Sequence, residues 1–430
     1  MFNITLIREQ PELVRTNLKK RKDPNLLKLL DEVIAKDALW RQEKYDLQKC
    51  IAERNQISKE IAQYKKQGKE KEAAQALAKM KNLPEEIQKR EEEVVRIYEE
   101  VQTLLYRLPN LLHDTVPYGK DDTENLEVRK WGDIKKPSFT LHNHEELAEQ
   151  IEGAEFERAV KIAGAGFYYL KNELALLNQA LIRFAIDKLV EKKYTFIETP
   201  FMMRKTPYEG VTDLADFEKV MYKIEGEDAY LIATSEHPIA AMYMDETIPE
   251  EKLPLKFAGL SQCFRREIGS HGIDQKGLFR VHQFTKVEQF VFCTPEQSWE
   301  LHEELLKNTE ELWKELGIPY RIVNICTGDI GIVAAKKYDI EAWMPRQQKY
   351  REVVSCSHCT DYQARRLKIR CGKEGGEKRI LHTLNCTAIA TSRALVAILE
   401  NFQNKDGSIT IPKVLVPYMN GIKKIEKKEK

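Results

Sequence analysis

The first hundred residues repeat apolar side chains at spacings of three and four, the pattern of amphipathic helices. One series consists of Leu26, Leu30, Val33, Trp40, Leu47, Ile51 and Ile61, and a second of Leu77, Met80, Ile87, Val94, Tyr98, Val101, Leu105 and Leu108. Between them, Gln67-Gly68-Lys69 predicts a turn. Two long helices joined by a short turn run antiparallel, so we predict a coiled-coil hairpin at about residues 26–108.

Two features weaken this hairpin. Polar residues interrupt the apolar seam at Asp37, Lys44, Arg54 and Ser58, so the seam is thin. Pro84 falls within the second helix and should kink or break it, because proline lacks the amide hydrogen and clashes with the preceding turn.

From about residue 150 the pattern becomes mixed. An amphipathic helix is predicted at 171–192, and further helices at 296–316 and 388–402. Short β-like runs occur at 230–233, 255–264, 281–292, 320–325 and 351–354. This order predicts an α+β fold with an antiparallel sheet. We therefore divide the chain into an N-terminal domain (1–110), a linker (111–140) rich in Pro, Gly and Asp, a main domain (141–420) and a basic tail (421–430).

The segment from Cys263 to Phe292 predicts a β-hairpin with charged residues on both arms. Its loop contains Gly269, Gly272 and Gly277. Arg265 and Arg266 are poor choices for a core, but a guanidinium is well suited to hold a phosphate, because it donates two parallel hydrogen bonds and keeps its charge. A solvated hairpin without a ligand is the alternative.

Composition narrows the class of protein. The chain has 430 residues, 42% hydrophobic and 32% charged, with a net charge of +1, so bulk charge does not indicate a polyanionic partner. We predict no membrane association, because no apolar run approaches the roughly 20 residues that span a bilayer. The N-terminus lacks the apolar core of a signal peptide, and eight cysteines are too few for a disulfide scaffold, so we expect a cytoplasmic protein.

Local charge is less even than the total. Residues 41–71 carry nine Lys or Arg and five Asp or Glu, whereas residues 85–100 carry three and seven. The basic stretch surrounds the predicted tip of the hairpin, where it is either an ordinary solvated face or a contact for a polyanion.

Neither GxGxxG nor GxxxxGK[ST] occurs, so any nucleotide site must be built from side chains of the sheet. The segment Cys356-Ser-His358-Cys359, with Cys371 beyond it, has the spacing of half a zinc site. A second Cys-x-x-Cys pair is absent from the sequence, and we expect no zinc.

Three further segments carry candidate chemistry. Thr234-Ser235-Glu236 ends a strand, Glu352 to Ser355 lies on a strand, and Asn385-Cys386-Thr387 precedes a helix that carries Arg393. Each alone is weak. In this order, Thr199-Pro200, FRRE…RVHQF…VE and TLN…SRALVAILEN resemble the three motifs of class II aminoacyl-tRNA synthetases, and TSE, EVVSCSHCTDYQARR and the N-terminal hairpin resemble the seryl-tRNA synthetase family.

The resemblance covers the whole chain and implies a reaction. Serine and ATP would form seryl-adenylate and pyrophosphate, and the seryl group would pass to the 3′ end of tRNA(Ser), with tRNA(Sec) as a second acceptor left open. It also implies a homodimer through the first motif, near residues 174–200. The alternative is an adenylate-forming ligase that acts on an acceptor other than tRNA.

The resemblance implies roles for individual residues. Arg265, Arg393 and Glu352 would be catalytic, and Glu352 and Ser355 would hold Mg²⁺. The positions implied for ATP are Arg265, Arg266, Glu267, Val281, His282, Gln283, Phe284, Glu352, Val353, Val354, Ser355 and Arg393. Those implied for serine are Thr234, Ser235, Glu236, Arg265, Glu288, Asn385 and Thr387. We interpret His282 as a packing and hydrogen-bonding residue rather than a base, and Cys386 as a wall of the pocket rather than a nucleophile.

Overall fold

The computed structural model describes residues 2–212, 220–267, 277–373 and 375–428. The chain forms two compact units, Met1–Pro109 and Asn110–Lys430. Gly269 and Gly272 of the predicted hairpin loop lie outside the described residues.

The first unit is helical. Its helices are α1 (Ile4–Glu9), α2 (Pro11–Lys19), α3 (Pro24–Lys66), α4 (Glu70–Met80) and α5 (Leu83–Arg107). Lys36 near the start of α3 pairs with Glu100 near the end of α5 at 2.6 Å, and Glu43 pairs with Arg90 at 3.0 Å. The two long helices are therefore antiparallel, as predicted. Gly68, with φ of 68°, makes the turn between α3 and α4.

The break predicted at Pro84 is present. Helix α4 ends at Met80, and Pro84 occupies the first turn of α5, where its missing amide hydrogen costs no helical bond. The break resets the helical phase. As a result Leu77, predicted on the seam, is 47% exposed, whereas Ala73 and Ala76 are buried.

Asp37, one of the polar residues on the predicted seam, is buried with two cations. Its carboxylate lies 2.6 Å from Arg8 of α1 and 3.0 Å from Arg41, one turn further along α3. Burial of a charged carboxylate is unfavourable unless it is paired. Arg8 of α1 therefore helps to stabilise Asp37 at this polar position of the apolar seam. The hydrophobic pattern did not predict α1 or α2.

An eight-stranded sheet organises the second unit. Its strands in chain order are β1 (Leu126–Trp131), β2 (Thr195–Glu198), β3 (Leu255–Phe264), β4 (Gln283–Cys293), β5 (Tyr320–Asn324), β6 (Lys336–Met344), β7 (Lys349–His358) and β8 (His382–Ala390). In space the order is β1-β5-β6-β7-β8-β4-β3-β2. Of the neighbouring pairs that the structure describes, β2 and β3 are parallel and the others antiparallel. The predicted α+β class is confirmed.

Helices surround this sheet: α6 (His144–Gln150), α7 (Phe156–Ala163), α8 (Asn172–Glu191), α9 (Lys205–Val211), α10 (Glu236–Ala241), α11 (Ser298–Leu316), α12 (Tyr362–Leu367) and α13 (Thr391–Asn401). The long helices α8, α11 and α13 share one hydrophobic core with the sheet. A second core joins α9, α10 and α12 to Phe290 and Phe292 of β4. Alternation along β4 explains the two cores, because Val287 and Val291 face the first while Phe290 and Phe292 face the second.

Shorter elements complete the unit. Two-stranded sheets pair Ala154–Glu155 with Tyr169–Leu170, Met202–Met203 with Tyr230–Leu231, and Ile409–Thr410 with Lys424–Ile425. Thr247–Pro249, Arg370–Gly372 and Lys378–Ile380 form a three-stranded sheet. Turns of 3₁₀-helix lie at Asp122–Glu124, Glu250–Lys252, Lys413–Leu415 and Pro417–Met419. Within the described ranges, no helix is long and apolar enough to cross a bilayer.

The interval 111–140, predicted as a linker, contains strand β1, which pairs with β5 at the edge of the main sheet. Leu112 and Val116 from the same interval are buried against β5. Residues 388–390 were predicted in the last helix, but they end β8, and α13 begins at Thr391.

Candidate active site

A cavity of about 480 Å³ opens on the face of the sheet opposite α8 and α11, and the first turn of α13 contributes Ser392 and Arg393 to its lining. Strand β4 shows why it lies there. Phe284, Lys286 and Glu288 alternate with core residues such as Val287, so all three side chains point into the cavity. Most of the residues implied for the site meet here: Thr234, Glu236, Arg265, Glu267, Val281, Phe284, Glu288, Glu352, Val353, Ser355, Asn385, Thr387 and Arg393 line the cavity.

Five implied residues do not line it. The hydroxyl of Ser235 is buried and donates to the Gly259 carbonyl at 3.1 Å, so it packs against β3 rather than facing a ligand. Val354 belongs to the core beneath the sheet. Arg266 is exposed beyond the end of β3, and the exposed side chain of Gln283 donates to the amide oxygen of Gln262 at 3.4 Å.

His282 is the fifth. Its ring stacks on Phe167 with centroids 5.3 Å apart, and its Nδ1 is hydrogen-bonded to the Tyr222 hydroxyl. Burial lowers the pKa of the imidazole. Its carbonyl accepts a 3.0 Å bond from the amide of Arg265, so His282 acts through the backbone to fix the residue beside it. These contacts agree with a packing role and do not place the ring against a nucleotide.

A buried polar cluster closes one end of the cavity. Thr387 donates to Oε2 of Glu288 at 3.2 Å, and the ammonium of Lys286 lies 2.5 Å from the same oxygen. Burial raises the pKa of the Glu288 carboxyl, and Lys286 and Thr387 act in the opposite direction. Lys286 was not among the predicted residues. The alternation of β4 could have identified it, because it is the position between Phe284 and Glu288 on the same face.

Glu236 is the second carboxylate at this end. Its Oε1 accepts a 3.0 Å hydrogen bond from Gln363. Burial, followed by the negative charge of Glu288, raises the pKa of Glu236 to about 7. Asn385 lies beside it on the cavity wall, and its amide donates to Cys359 Sγ at 3.6 Å. This end of the cavity therefore carries two carboxylates, Glu236 and Glu288.

Arginines and aromatic rings form the other end. The guanidinium of Arg265 lies 5.4 Å from the centroid of Phe284, and that of Arg393 lies 5.3 Å from Phe279. Arg351 covers Phe279 as well, at 4.9 Å. Phe279, which sequence reasoning did not include, thus holds two guanidinium groups in place by cation–π contact.

Glu352, on strand β7, contacts Arg393 at this end of the cavity. Arg393 donates to the backbone carbonyl of Glu352 at 2.9 Å and lies 3.5 Å from its carboxylate. The depth of the cavity disfavours the charged form of Glu352, but the positive charges of Arg393 and Lys337 outweigh that effect and hold its pKa below the ordinary value. The side chain of Glu352 is 46% exposed, so it is open to a ligand.

A β-bulge brings Glu352 and Ser355 to the same face. Residues three apart on a regular strand point in opposite directions, yet both line the cavity. The register between β6 and β7 shifts here, with Val354 opposite Ile340 but Glu352 opposite Glu341, so Val353 is the extra residue. Such a bulge redirects the side chains that follow it.

Lys337 and Asp339 on β6 were also not predicted. Lys337 lines the cavity, and its Nζ lies 3.3 Å from Asp339 Oδ2. Burial raises the pKa of the Asp339 carboxyl against the effect of Lys337. Asp339 stands directly opposite Ser355 in the ladder. Its position depends on strand pairing, which the sequence alone does not show.

The cysteines of the possible zinc site have separate surroundings. Cys356 Sγ lies 3.9 Å from the carbonyl of His302, Cys359 receives the bond from Asn385, and Cys371 belongs to the small three-stranded sheet. No group of three or more His, Cys, Asp or Glu placed to hold a metal occurs among the described residues. Cys386, interpreted as a wall of the pocket, instead faces the core and lies 3.5 Å from Thr309.

Comparisons with known proteins match both units. Residues 1–112 match the family model of the seryl-tRNA synthetase N-terminal domain, and residues 219–402 match the tRNA synthetase class II core domain (G, H, P, S and T). The serine–tRNA ligase of Methanoculleus marisnigri is 59% identical, over 98% of this chain and 99% of that protein.

Solved structures agree. Seryl-tRNA synthetase from Pyrococcus horikoshii, complexed with ATP, superposes with a TM-score of 0.96 at 48% identity and covers 100% of both chains. The cytoplasmic serine–tRNA ligase of Naegleria fowleri, in complex with AMP, gives 0.89 at 39% identity over 100% of this chain and 99% of its own. Identity at this level over the full length, with both family models in the same order, shows that this chain belongs to the seryl-tRNA synthetase family of class II tRNA synthetases.

Proposed function

We propose that the chain, a serine–tRNA ligase, carries out both steps of its reaction in the cavity between β3, β4, β7 and β8. One observation carries this proposal: the same cavity holds two arginines, Arg265 and Arg393, and a buried Glu288–Thr387 pair. The first pair suits the phosphates of a nucleotide, and the second suits a small hydroxyl.

In the first step a carboxylate oxygen of serine attacks the α-phosphorus of ATP, and the bond to the β-phosphate oxygen breaks to release pyrophosphate. The attacking carboxylate is already a nucleophile, so catalysis needs positioning and charge stabilisation rather than a general base. Arg265 is placed to bind both the serine carboxylate and the α-phosphate, since it lies over the ring of Phe284 and its charge also acts on Glu236 at the polar end. A preorganised cation there stabilises the charge that develops as the adenylate forms.

The remaining nucleotide contacts follow from the arginine-rich end. Phe284 offers a ring for the adenine to stack on, and Glu267 and Val281 lie beside it on the cavity wall. Arg393, anchored on the Glu352 carbonyl and Phe279, would bind the γ-phosphate. ATP and AMP are the ligands of the two similar solved structures, which supports ATP as the substrate.

Mg²⁺ suits the bulged strand. Glu352 and Ser355 present a carboxylate and a hydroxyl to one cavity, and hard oxygen ligands of this kind, completed by phosphate and water, are those that Mg²⁺ prefers. When bound, the ion would neutralise phosphate charge. The chain's own part is to keep Glu352 ionised, which the charges of Arg393 and Lys337 favour.

Serine would occupy the polar end. Glu288 and Thr387 would bond its hydroxyl, while Glu236 and Thr234 would take its ammonium, with Asn385 alongside. A buried site built to bond a hydroxyl rejects an analogue without it by about 10⁴-fold, because the polar groups of the site are left unpaired. Alanine should therefore be rejected strongly, whereas threonine must be excluded by the shape of the wall.

Residues 1–110 would bind tRNA(Ser) through the arm formed by α3, α4 and α5. The tip of the arm is exposed and carries Lys65, Lys66, Lys69 and Lys71. Clustered lysines bind phosphates in a salt-dependent manner that is largely independent of sequence. The basic tail, 421–430, is a second place where RNA could be bound.

We further infer a cytoplasmic homodimer. Exposed apolar side chains on and after α8, among them Leu176, Val190, Phe196 and Phe201, support an interface near residues 174–200. All eight cysteines are free thiols, seven of them buried, which fits a reducing compartment.

Serine-dependent ATP–pyrophosphate exchange, followed by transfer of labelled serine to tRNA, tests the proposal. Exchange with serine but not alanine, and charging of tRNA(Ser), are the expected results. Exchange without charging would favour the ligase with a different acceptor, which the full-length similarity to serine–tRNA ligases does not favour. Absence of serine-dependent exchange would refute the proposed site.

A further inference from the structure

We propose that Lys286 sets the preference of the amino-acid pocket for a neutral hydroxyl over a cationic side chain, by cancelling the charge of Glu288. This inference rests on the proposed function, which places the serine hydroxyl at Glu288.

The two residues form a buried pair on one strand. They are two positions apart on β4, so they share a face, and their side chains are 8% and 1% exposed. The ammonium of Lys286 lies 2.5 Å from Glu288 Oε2. Whichever partner carries the proton, the pair has no net charge. Such a buried pair is stable only while both members are present.

The hydrogen bonds leave part of Glu288 for a ligand. Lys286 and Thr387 both contact Oε2, at 2.5 Å and 3.2 Å. The other oxygen, Oε1, is therefore available to accept a hydrogen bond from a small hydroxyl. A neutral donor suits this oxygen better than a cation, because the adjacent ammonium of Lys286 repels a second positive charge.

Glu236 differs from Glu288 in this respect. Within the part of the chain that the structure describes, Glu236 is not in an ion pair, and its Oε1 accepts from the neutral amide of Gln363 at 3.0 Å. The cavity thus presents Glu236, a carboxylate outside any described ion pair, together with the guanidinium of Arg265, whose charge acts on Glu236. These match the ammonium and the carboxylate of an amino acid, and the neutral Lys286–Glu288 pair matches an uncharged side chain.

Removal of Lys286 should change this match. Glu288 would lose its ion-pair partner, and its carboxylate would attract an ammonium in place of the hydroxyl. L-2,3-Diaminopropionate has that group at the position of the serine hydroxyl and is of similar size. Specificity in such a pocket comes as much from repulsion of the wrong ligand as from attraction of the right one.

The experiment compares four full-length proteins: wild type, K286M, K286R and the double variant K286M/E288Q. ATP–pyrophosphate exchange gives kcat/KM for L-serine and for L-2,3-diaminopropionate, at a pH where the side-chain ammonium is protonated. In K286M the preference for serine should fall about tenfold or more, because the ammonium of diaminopropionate would then be attracted by an unpaired carboxylate in a partly screened site. K286R keeps a positive charge beside Glu288 and should keep a preference close to that of the wild type. K286M/E288Q has no charge at either position, so it should bind serine more weakly, because Glu288 contacts the hydroxyl, but it should not gain activity with diaminopropionate.

Folding is monitored by circular dichroism and thermal melting, with ATP binding as a second check. An unchanged preference in folded K286M would overturn the proposal. If K286M does not fold, the double variant decides: kcat/KM for diaminopropionate no higher than in the wild type supports charge cancellation, and a rise in that value contradicts it. Failure of the underlying function looks different, because the wild type itself would then lack serine-dependent exchange.

Discussion

The hydroxyl of Thr387 donates a 3.2 Å hydrogen bond to the carboxylate of Glu288, its direct neighbour across strands β8 and β4. Both side chains are buried and line the same cavity. The bond joins two segments about a hundred residues apart in the sequence into one surface for a small ligand.

Removing either partner should therefore impair serine binding far more than ATP binding. Glu288→Ala and Thr387→Ala should raise the serine KM about 10- to 100-fold, the loss expected for a hydrogen bond to a charged group. The KM for ATP should change little. Exchange kinetics with each substrate varied in turn measure both values. Thr387→Ser keeps the hydroxyl and serves as the control, and an unchanged serine KM in Glu288→Ala would remove these residues from the serine site.

The affinity for serine should depend on pH through Glu236. Its pKa is about 7, and only the ionised carboxylate attracts the serine ammonium, which stays protonated over this range. The ionised fraction rises from about a tenth at one unit below that pKa to about nine tenths at one unit above, so the serine KM should fall about tenfold from pH 6 to pH 8.

The same pH series on Glu236→Gln is the control for this prediction. The amide cannot titrate, so its serine KM should be high and nearly independent of pH. A wild-type slope that persists in Glu236→Gln would assign the pH dependence to another group.

Glu352 and Ser355 should govern the requirement for a divalent cation. Glu352→Gln and Ser355→Ala should each weaken metal binding in the presence of ATP by about tenfold or more. Mutation of a residue that only supports a metal ligand already lowers metal affinity by about that factor. Titration of Mn²⁺, followed by electron paramagnetic resonance, measures the affinity directly. Glu341→Gln is the matched control, because Glu341 lies opposite Glu352 in the ladder but pairs with Arg321 at 2.6 Å. Equal affinity in Glu352→Gln and the control would contradict the assignment.

The tip of the arm should affect tRNA and not adenylate formation. Replacement of Lys65, Lys66, Lys69 and Lys71 by Glu should weaken tRNA binding and lower the dependence of its affinity on salt, by a slope of up to about 3 for four lost phosphate contacts. Serine-dependent exchange should be unaffected. The same four changed to Arg keep the charge and should bind tRNA normally. A salt slope that does not change would show that the tip does not meet RNA.

The helical hairpin and strands β3 and β4 could be predicted because the sequence patterns that indicate them are local. Apolar spacing defined α3 and α5, the turn at Gly68 followed from its residues, and Pro84 marked the break. The exposure of Leu77 could not be predicted, because the break resets the phase of α4.

The site was predicted in part for a different reason. The resemblance to synthetase motifs, rather than any local pattern, brought Arg265, Glu352 and Thr387 together, and all three line the cavity. Strict alternation would have placed Glu352 and Ser355 on opposite faces, and only the ladder between β6 and β7 shows the bulge that unites them. Lys286 was missed because a lysine on a strand predicts an exposed position, although the alternation of β4 places it on the same face as Glu288, which was already implied for the site.

The most direct test of the account is a structure of the chain bound to a non-hydrolysable seryl-adenylate analogue. We predict that the seryl hydroxyl lies at hydrogen-bonding distance, about 3 Å, from Glu288 Oε1, that the ammonium lies beside Glu236, and that the adenine stacks on Phe284. An analogue bound with its seryl side chain away from Glu288 and Thr387 would contradict the account.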